Sequence, residues 1–420
     1  MSSFRRALRW LQPGLGVKRW VLLLILGLVL VGLGALLSFN LLLGELIASI
    51  GSTDQAARIG LLVLLVGLIV VAVSFVAVVR NIARALLPDE TQLVDRMWQQ
   101  RRLGSGLKIV ALGGGTGLSS LLRGLKAFTT NLTAIVVVSD DGGSSGRLRK
   151  EMPSLTLAPG DIRNCLAALA DEEPLMTQML QYRFDERAPE LGGHSLGNLL
   201  IAALEHITGD FEAAILETSR VLAIRGKVLP PTLDSVRLCA RLQDGQQVRG
   251  ESSISQSPCA IDYVYLDPPD PEPLPEVLEA IAAADLIVIG PGSLYTSLVP
   301  NLLVPRLAQT IAASSAARVY VCNIMTQPGE TDHMTAVDHA QALRRHVDVP
   351  IFEYVVLNEQ RPRREVMERY AASGAEFILP DVRQIARLGY IPITAPLLQE
   401  DGFVRHDPQR LARLLVDLAQ

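Results

Sequence analysis

The fold is decided by residues 107–149, which read LKIVALGGGTGLSSLLRGLKAFTTNLTAIVVVSDDGGSSGRLR. Two apolar runs rich in β-branched residues, 107–112 and 133–138, predict two fully buried parallel strands. Residues 118–128 have helical spacing and join the strands into a βαβ unit. Each strand runs directly into a glycine-rich turn, so amides, hydroxyls and two carboxylates meet at one edge of the sheet. Open α/β sheets bind phosphorylated ligands at such an edge.

The first turn is rich in glycine, and its candidate ligand-binding residues are Gly113, Gly114, Gly115, Thr116 and Gly117. Glycines at the start of a helix let backbone amides approach phosphate oxygens, and the helix end adds positive potential. A dinucleotide fingerprint would place its third glycine at Leu118, and a P-loop would require a Gly-Lys-Ser/Thr that this segment lacks. A nicotinamide cofactor and ATP hydrolysis are therefore both disfavoured.

The second turn begins with two carboxylates, and its candidate residues are Asp140, Asp141, Gly142, Gly143, Ser144 and Ser145. One acidic residue at a strand end suits ribose hydroxyls. The adjacent pair Asp140 and Asp141 is instead typical of a Mg²⁺ ion that bridges ligand phosphates. The alternative is an Asx turn that only shapes the loop. The serine hydroxyls, together with Arg147, suit a diphosphate.

Three later segments also place polar residues at strand ends or helix starts. Residues 159–164 are either a capped helix start or part of the cleft. Residues 192–198 favour contact with phosphate or sugar, with Ser195 expected as a helix cap rather than a nucleophile. Residues 290–297 follow another buried strand and supply an opposite wall of the cleft. The candidate ligand-binding residues in these segments and at the next strand end are Arg163, Asn164, His194, Ser195, Gly197, Asn198, Gly290, Gly292, Ser293, Tyr295, Thr296 and Asn323.

The pattern of the whole C-terminal part predicts an α/β domain with a mostly parallel sheet and a β-hairpin insertion. Residues 235–242 and 247–254 flank an Asp-Gly pair and predict the antiparallel hairpin. Buried parallel strands return at 285–290, 318–323 and 352–357.

The N-terminal part contains two long apolar segments. Residues 21–44 include no charged residue and residues 59–79 are uninterrupted, so each reaches the length that a helix needs to cross hydrocarbon. Arginine and lysine residues precede the first segment and follow the second, which predicts that both termini lie in the cytoplasm. The predicted organisation is a basic N-terminus at 1–19, a two-helix transmembrane hairpin at 20–80, a linker at 81–106 and a cytoplasmic domain at 107–420.

Composition limits the partners of this chain. The net charge is −4 and the soluble part has no Lys/Arg cluster, which argues against a nucleic-acid partner. The four cysteines are far apart and form no C-x-x-C motif, so we expect a reduced compartment and no zinc site. The sequence leaves the oligomeric state open.

Five strings occur in order along the chain: GGGTG, DDGGSSGRLR, PGDIRN, GGHSLGN and GPGSLYTS. Together they resemble the YvcK family of gluconeogenesis factors, within the CofD-like superfamily, from residue 107 to near the C-terminus. The resemblance implies a Rossmann-like fold that binds UDP-sugars, notably UDP-N-acetylglucosamine. It also implies a role that links carbon metabolism to cell-wall synthesis and cell shape, and a ligand contact for Arg405, which resembles a basic family position.

The resulting hypothesis is a non-catalytic regulator, tethered to the cytoplasmic membrane, that binds a UDP-sugar and reports to cell-envelope synthesis proteins. The alternative is a Mg²⁺-dependent transferase of the CofD type, which uses a nucleotide-activated substrate. That enzyme needs Asp140 and Asp141 as metal ligands and a pocket for a planar deazaflavin. The sequence offers no clear nucleophile or general-base pair, which favours binding over catalysis. The two N-terminal apolar segments depart from the usual soluble members.

Overall fold

The structure is a computed structural model, which describes residues 17–39, 53–86, 103–151, 157–171, 173–188, 191–257, 259–400 and 402–420. The chain divides into two compact units, Met1–Gln100 and Arg101–Gln420.

The N-terminal unit contains two helices that pack against each other, α1 (Val17–Phe39) and α2 (Thr53–Leu86). Glycine permits their close approach, because a Cβ atom on Gly34 would lie 2.5 Å from the backbone nitrogen of Leu64. Large apolar side chains elsewhere on both helices are exposed, for example Leu22 at 66% and Leu62 at 63%. The two helices thus share a narrow contact of small residues and present apolar side chains outward.

Within the described residues, one helical segment is long and apolar enough to cross a membrane, Arg58–Arg80 in α2. The apolar part of α1, Trp20–Leu36, is shorter than such a span. The predicted pair of transmembrane helices is therefore not confirmed, and α2 alone stays a candidate. Residues 1–16, residues 40–44 of the predicted first segment and most of the predicted linker lie outside the described residues.

The C-terminal unit alternates strands and helices. Its strands are β1 (Ile109–Gly113), β2 (Leu132–Val136), β3 (Lys227–Leu229), β4 (Arg237–Leu242), β5 (Gln247–Arg249), β6 (Ile261–Asp267), β7 (Leu286–Ile289), β8 (Ala317–Val321), β9 (Tyr354–Asn358), β10 (Ile391–Ala395), β11 (Leu398–Glu400) and β12 (Val404–His406). Its helices are α3 (Gly115–Leu125), α4 (Gly143–Glu151), α5 (Gly160–Leu169), α6 (Glu173–Gln181), α7 (Leu196–Thr208), α8 (Phe211–Val221), α9 (Glu251–Ser255), α10 (Pro275–Ala282), a π-helix (Leu294–Leu298), α11 (Val299–Leu303), α12 (Leu307–Ala313), α13 (Ala336–His346), α14 (Arg364–Ala372), α15 (Val382–Arg387) and α16 (Pro408–Leu418).

Seven strands form one sheet in the order β10-β9-β8-β7-β1-β2-β3, and every neighbouring pair is parallel. The chain builds one half outward from β1 to β3 and the other half outward from β7 to β10, so the order reverses between β1 and β7. Ligands of open α/β sheets bind in the crevice beyond such a reversal. The predicted mostly parallel α/β fold is confirmed.

The predicted β-hairpin insertion forms a separate three-stranded antiparallel sheet, in the order β5-β4-β6. Its turn includes Gly245, whose φ of +85° is a left-handed conformation that glycine adopts without strain. The predicted second strand, residues 247–254, is too long. Strand β5 ends at Arg249 and helix α9 follows, because Gly250 with φ +93° turns the chain between them.

The sheet is covered by helices whose inner faces are apolar. Strand β1 is buried throughout its length, and α3 packs beside it through Leu118, Leu121 and Leu122. The C-terminal helix α16 lies against α3 so closely that a Cβ atom on Gly124 would overlap the carbonyl oxygen of Pro408. This packing holds the C-terminal end of α3 against α16.

Candidate ligand-binding cleft

The glycine turns after β1 and β7 are in direct contact at the sheet reversal. A Cβ atom on Gly117 would lie 2.5 Å from the carbonyl oxygen of Pro291. Asn301 fastens the same region, since its Nδ2 donates to the carbonyl oxygens of Gly113 at 3.1 Å and of Ser297 at 2.7 Å. The glycines are therefore needed for close approach of two backbones, in addition to any ligand.

A first cavity of about 300 Å³ opens beside this contact. Its walls come from the two glycine turns, from the segment after β8 and from the β11–β12 hairpin. Asn323 holds the turn after β7 in place. Its Nδ2 donates to the Gly292 carbonyl at 2.8 Å, and its Oδ1 accepts from the Gly292 amide at 3.3 Å. Arg405 lines the cavity from the hairpin, and its guanidinium lies 5.2 Å from the ring centroid of Phe403.

The two glycine turns differ in what their helix starts offer. Helix α3 begins after Gly114 with no side-chain cap and no acidic residue in its first turn, so it can accept an anion from the cavity. At the π-helix, the buried Glu330 carboxylate accepts from the amides of Tyr295 at 2.7 Å and Thr296 at 3.1 Å. Burial raises the pKa of Glu330 to about 7, although these two backbone bonds act in the opposite direction. Two amides in the turn after β7 are thus already bonded to a buried acid of the protein itself.

A second cavity, of about 440 Å³, lies at the end of β2. Every residue in its wall is glycine or carries a polar side chain. Three of these are carboxylic acids, Asp140, Asp161 and Glu251. Burial is the main cause that raises the pKa of each, to about 6 for Asp161 and to about 9 for Glu251, and the neighbouring carboxylates raise them further.

One contact joins the two cavities. The amide of Gly115, in the wall of the first cavity, donates to the carboxylate of Asp161, in the wall of the second. A Cβ atom on Gly114 would lie 2.5 Å from Oδ2 of Asp161. The cavities are therefore neighbours, separated by a glycine backbone and one carboxylate.

The adjacent acids in the turn after β2, Asp140 and Asp141, have different partners. Oδ1 of Asp140 accepts from the Gly142 amide at 2.8 Å, which is the predicted alternative of an Asx turn, while its side chain lines the second cavity. Oδ1 of Asp141 accepts from the Ser252 amide at 2.9 Å and so caps α9, and Oδ2 lies against Gly250. Each acid thus has its own backbone amide partner. The described residues contain no group of three His, Cys, Asp or Glu side chains that could hold a metal. The predicted Mg²⁺ site, which needs only these two carboxylates together with ligand phosphates, stays a prediction.

The segment 192–198 supports the second cavity from behind. Ser195 is the N-cap of α7, as predicted, and accepts from the Asn198 amide at 3.2 Å. It also accepts from Nη1 of the buried Arg163 at 2.6 Å. His194 is 3% exposed and lies 3.2 Å from the Ser144 hydroxyl and 3.3 Å from Glu151. These contacts position the cavity wall and leave His194 outside it.

The predicted site residues separate into three groups of equal size. Those that line the first cavity are Gly114, Gly115, Thr116, Gly117, Gly292, Ser293, Asn323 and Arg405. Those that line the second cavity are Asp140, Gly142, Gly143, Ser144, Ser145, Arg163, Asn164 and Asn198. Those that lie outside both linings are Gly113, Asp141, His194, Ser195, Gly197, Gly290, Tyr295 and Thr296.

Sequence reasoning missed several residues of the cleft. Asp161 lies in residues 159–164, which were predicted to be either a capped helix start or part of the cleft; the N-cap of α5 is Pro159, and Asp161 lines the second cavity. Glu251 comes from the antiparallel insertion, where no local pattern pointed to a site. Tyr370 reaches the first cavity from α14, and its hydroxyl accepts from the Val404 amide at 2.9 Å. Its distance in sequence from the glycine turns left no signal.

Comparison with known proteins defines the family. The model of the 2-phospho-L-lactate transferase CofD family matches residues 109–398. The gluconeogenesis factor of Bacillus subtilis is 47% identical over 317 residues, which are 75% of this chain and 99% of that protein. A gluconeogenesis factor homologue from Nostoc sp. is 47% identical over 423 residues, 97% of this chain and 91% of the relative, so that match includes the N-terminal part.

A solved structure has the same fold. The crystal structure of a UPF0052 family member from Bacillus halodurans superposes with a TM-score of 0.71 at 48% identity, and covers 73% of this chain and 99% of that chain. That protein therefore folds without an N-terminal part like the one found here. The chain belongs to the CofD-like family, among the relatives named gluconeogenesis factors.

Proposed function

We propose that this protein is a regulator that binds a UDP-sugar, UDP-N-acetylglucosamine above all, in the cleft at the sheet reversal. The uncapped start of α3, in the wall of the first cavity, carries this proposal. A glycine-rich helix start is a ready site for a diphosphate. The Asp161 carboxyl takes the Gly115 amide, while Thr116 and Gly117 line the cavity. The family names of the relatives support a role in carbon metabolism, and we extend it to cell-wall synthesis and cell shape.

The nucleotide half of the ligand fits the first cavity. The diphosphate would lie over the amides of Thr116 and Gly117, within reach of the Arg405 guanidinium. The far wall of this cavity combines apolar and aromatic side chains from Ile324, Tyr370 and Phe403. Such a surface suits the flat face of a uracil ring. The protein thus supplies charge for the phosphates and an apolar wall for the base.

We further propose that the N-terminal unit tethers the protein to the cytoplasmic membrane. The exposed apolar surface of α1 and α2 supports this proposal, as does the segment Arg58–Arg80. Basic residues before α1 and after α2 favour a cytoplasmic location for the C-terminal unit. A tethered sensor of this kind would report to enzymes of cell-envelope synthesis, which are the proposed protein partners.

A CofD-type transferase is the second candidate, favoured by the presence of an adjoining cavity that could take an acceptor. The composition of that cavity weakens this alternative. Its wall contains no aromatic and no aliphatic side chain, and a planar deazaflavin would need such surfaces for its ring.

The binding proposal is tested by calorimetry on residues 101–420, which form the C-terminal compact unit. The solved relative, 99% of which is covered by 73% of this chain, supports separate folding of such a unit. UDP-N-acetylglucosamine is titrated with and without Mg²⁺, and the mixture is analysed by mass spectrometry for a reaction product. Because a charge-assisted hydrogen bond contributes about 1.5–3 kcal/mol, Arg405→Ala should weaken binding about 10- to 100-fold. Arg364→Ala removes the same charge from a side chain that is 91% exposed, and should have no effect. No heat with any UDP-sugar refutes the proposal, and released nucleotide favours the transferase.

The tether is tested by fractionation of cells that produce the full chain or residues 101–420. The full chain should stay in the membrane fraction after carbonate washing, while residues 101–420 should be recovered in the soluble fraction. A reporter enzyme fused after Gln420 should be active only in its cytoplasmic form. A soluble full chain, or a reporter active only in the periplasm, would overturn the proposal.

A further inference from the structure

We infer that the second cavity is the subsite for the hexose of the nucleotide sugar, and that Glu251, supplied by the antiparallel insertion, binds that hexose. This inference rests on the proposed binding of a UDP-sugar in the first cavity. It assigns a ligand group to a cavity that the glycine turns alone do not explain.

The composition of the wall indicates a small ligand rich in hydroxyl groups. Donors are available from Arg163, Asn164 and Arg183, and acceptors from the three carboxylic acids. Serine hydroxyls fill much of the remaining wall and can do either. A cavity without apolar side chains gains little from a nucleobase or a lipid chain, whereas a sugar ring presents donors and acceptors on its whole rim.

Buried polar atoms without a partner mark where such a ligand would bind. Among the described residues, Oδ1 of Asn198 and Nε of Arg163 form no hydrogen bond, although the two side chains are only 1% and 7% exposed. Oε2 of Glu251 also has none. A buried polar group left unpaired costs about 1–3 kcal/mol. One hydroxyl group can satisfy a donor and an acceptor together, so a polyhydroxylated ring relieves this cost.

The position of the cavity agrees with the order of groups in a UDP-sugar. The diphosphate over the start of α3 lies beside Gly114 and Gly115, and the carboxylate of Asp161 is the next group in that direction. The group attached to the distal phosphate would therefore pass over the Gly114–Gly115 backbone, beside the Asp161 carboxyl, to reach the second cavity.

Glu251 is the carboxylic acid that the antiparallel insertion adds to the wall of the second cavity. Asp141 caps α9 through the Ser252 amide, which fixes the start of the helix that carries Glu251. Burial and the neighbouring carboxylates raise the pKa of Glu251 to about 9, so the group is a neutral acid at neutral pH. It can then donate to a sugar hydroxyl or an acetamido carbonyl without adding charge opposite the diphosphate.

The experiment compares UDP with UDP-N-acetylglucosamine by calorimetry on residues 101–420 and its variants. The wild type should bind UDP-N-acetylglucosamine at least tenfold more tightly than UDP. Glu251→Ala should weaken the affinity for UDP-N-acetylglucosamine about tenfold and leave the affinity for UDP unchanged. Glu251→Gln, which resembles the neutral acid in shape, should retain most of the affinity for UDP-N-acetylglucosamine. Asp244→Ala removes a carboxylate from the exposed turn of the same insertion and should change neither affinity.

The outcomes distinguish failure of the proposed UDP-sugar binding from failure of the hexose subsite. Failure of the wild type to bind either ligand overturns the proposed function. Binding of both ligands with equal affinity overturns only the hexose subsite, as does a Glu251→Ala variant that weakens UDP and UDP-N-acetylglucosamine to the same extent. Retained affinity for UDP shows that the variant is folded, so a loss confined to the sugar nucleotide supports the inference.

Discussion

Replacement of Glu330 by alanine should destabilise the protein strongly at acidic pH and much less at alkaline pH. Glu330 is 4% exposed and accepts hydrogen bonds from two buried amides, those of Tyr295 and Thr296. Each buried amide that loses its partner costs about 1–3 kcal/mol, so the variant should lose about 2–6 kcal/mol where the wild type is protonated.

The pH dependence follows from the raised pKa of Glu330. Burial raises this pKa from 4.5 to about 7, so the folded state favours the protonated acid. The stability that this preference supplies is complete below pH 4.5 and is lost as the pH rises to about 7. At about 1.4 kcal/mol for each pH unit, the wild type should lose about 3 kcal/mol that the variant does not lose. The stability difference between the two proteins should therefore narrow by that amount.

The assay is urea unfolding of residues 101–420 at pH 5 and pH 8, followed by far-UV circular dichroism, because the three tryptophans lie in the first hundred residues. Glu279→Ala, which removes an exposed glutamate from α10, is the matched control and should show no pH-dependent difference. A difference between wild type and Glu330→Ala that stays constant or widens with pH would refute the assignment of a buried acid. A difference below about 1 kcal/mol at pH 5 would refute the role of Glu330 as the partner of both amides.

Two further substitutions test a contact between two helices and a helix cap. Gly124→Ala should lower the unfolding free energy by about 1–3 kcal/mol in the same urea assay, because the new Cβ atom overlaps a carbonyl oxygen of α16. Gly104→Ala, whose Cβ atom would have its nearest neighbour 3.9 Å away, should leave the unfolding free energy unchanged. Equal stability of the two variants would contradict the close packing. Ser195→Ala removes a helix cap and the partner of Arg163, so it should cost about 1–2 kcal/mol and weaken UDP-N-acetylglucosamine binding in calorimetry. Asp210→Ala removes the cap of α8 alone and should lower stability without changing affinity, and a similar affinity loss in both variants would argue against a specific role of Ser195.

The sheet and the turns at its edge could be predicted from the sequence because they depend on local patterns. Buried parallel strands are runs of β-branched residues, and β1 and β2 appear where such runs occur. A cluster of glycines between strand and helix identifies the first turn in the same way. The start of α7 at Ser195 is also local, since a cap satisfies amides within one turn.

The rest of the cleft depends on contacts between residues far apart in the sequence. Asp141 and Ser252 are 111 positions apart, and the residues between them carry no sign that the insertion closes a cavity. The two glycine turns read alike, yet Glu330 occupies the amides of one, so Tyr295 and Thr296 lie outside the cleft. The helix α9 was predicted as a strand because its serines and isoleucine fit both structures, and only the turn at Gly250 decides between them.

The unequal occupation of the two glycine turns gives the cleft a direction. Had both helix starts been open, an anionic group could settle at either, and a long ligand could bind in two opposite orientations. With Glu330 in one of them, the phosphates of the proposed ligand would have a single preferred position, over Thr116 and Gly117, and the two ends of the ligand would lie on opposite sides of it. Glu330, which lies outside both cavity walls, would then take the place of a second anion and restrict the proposed ligand to one orientation.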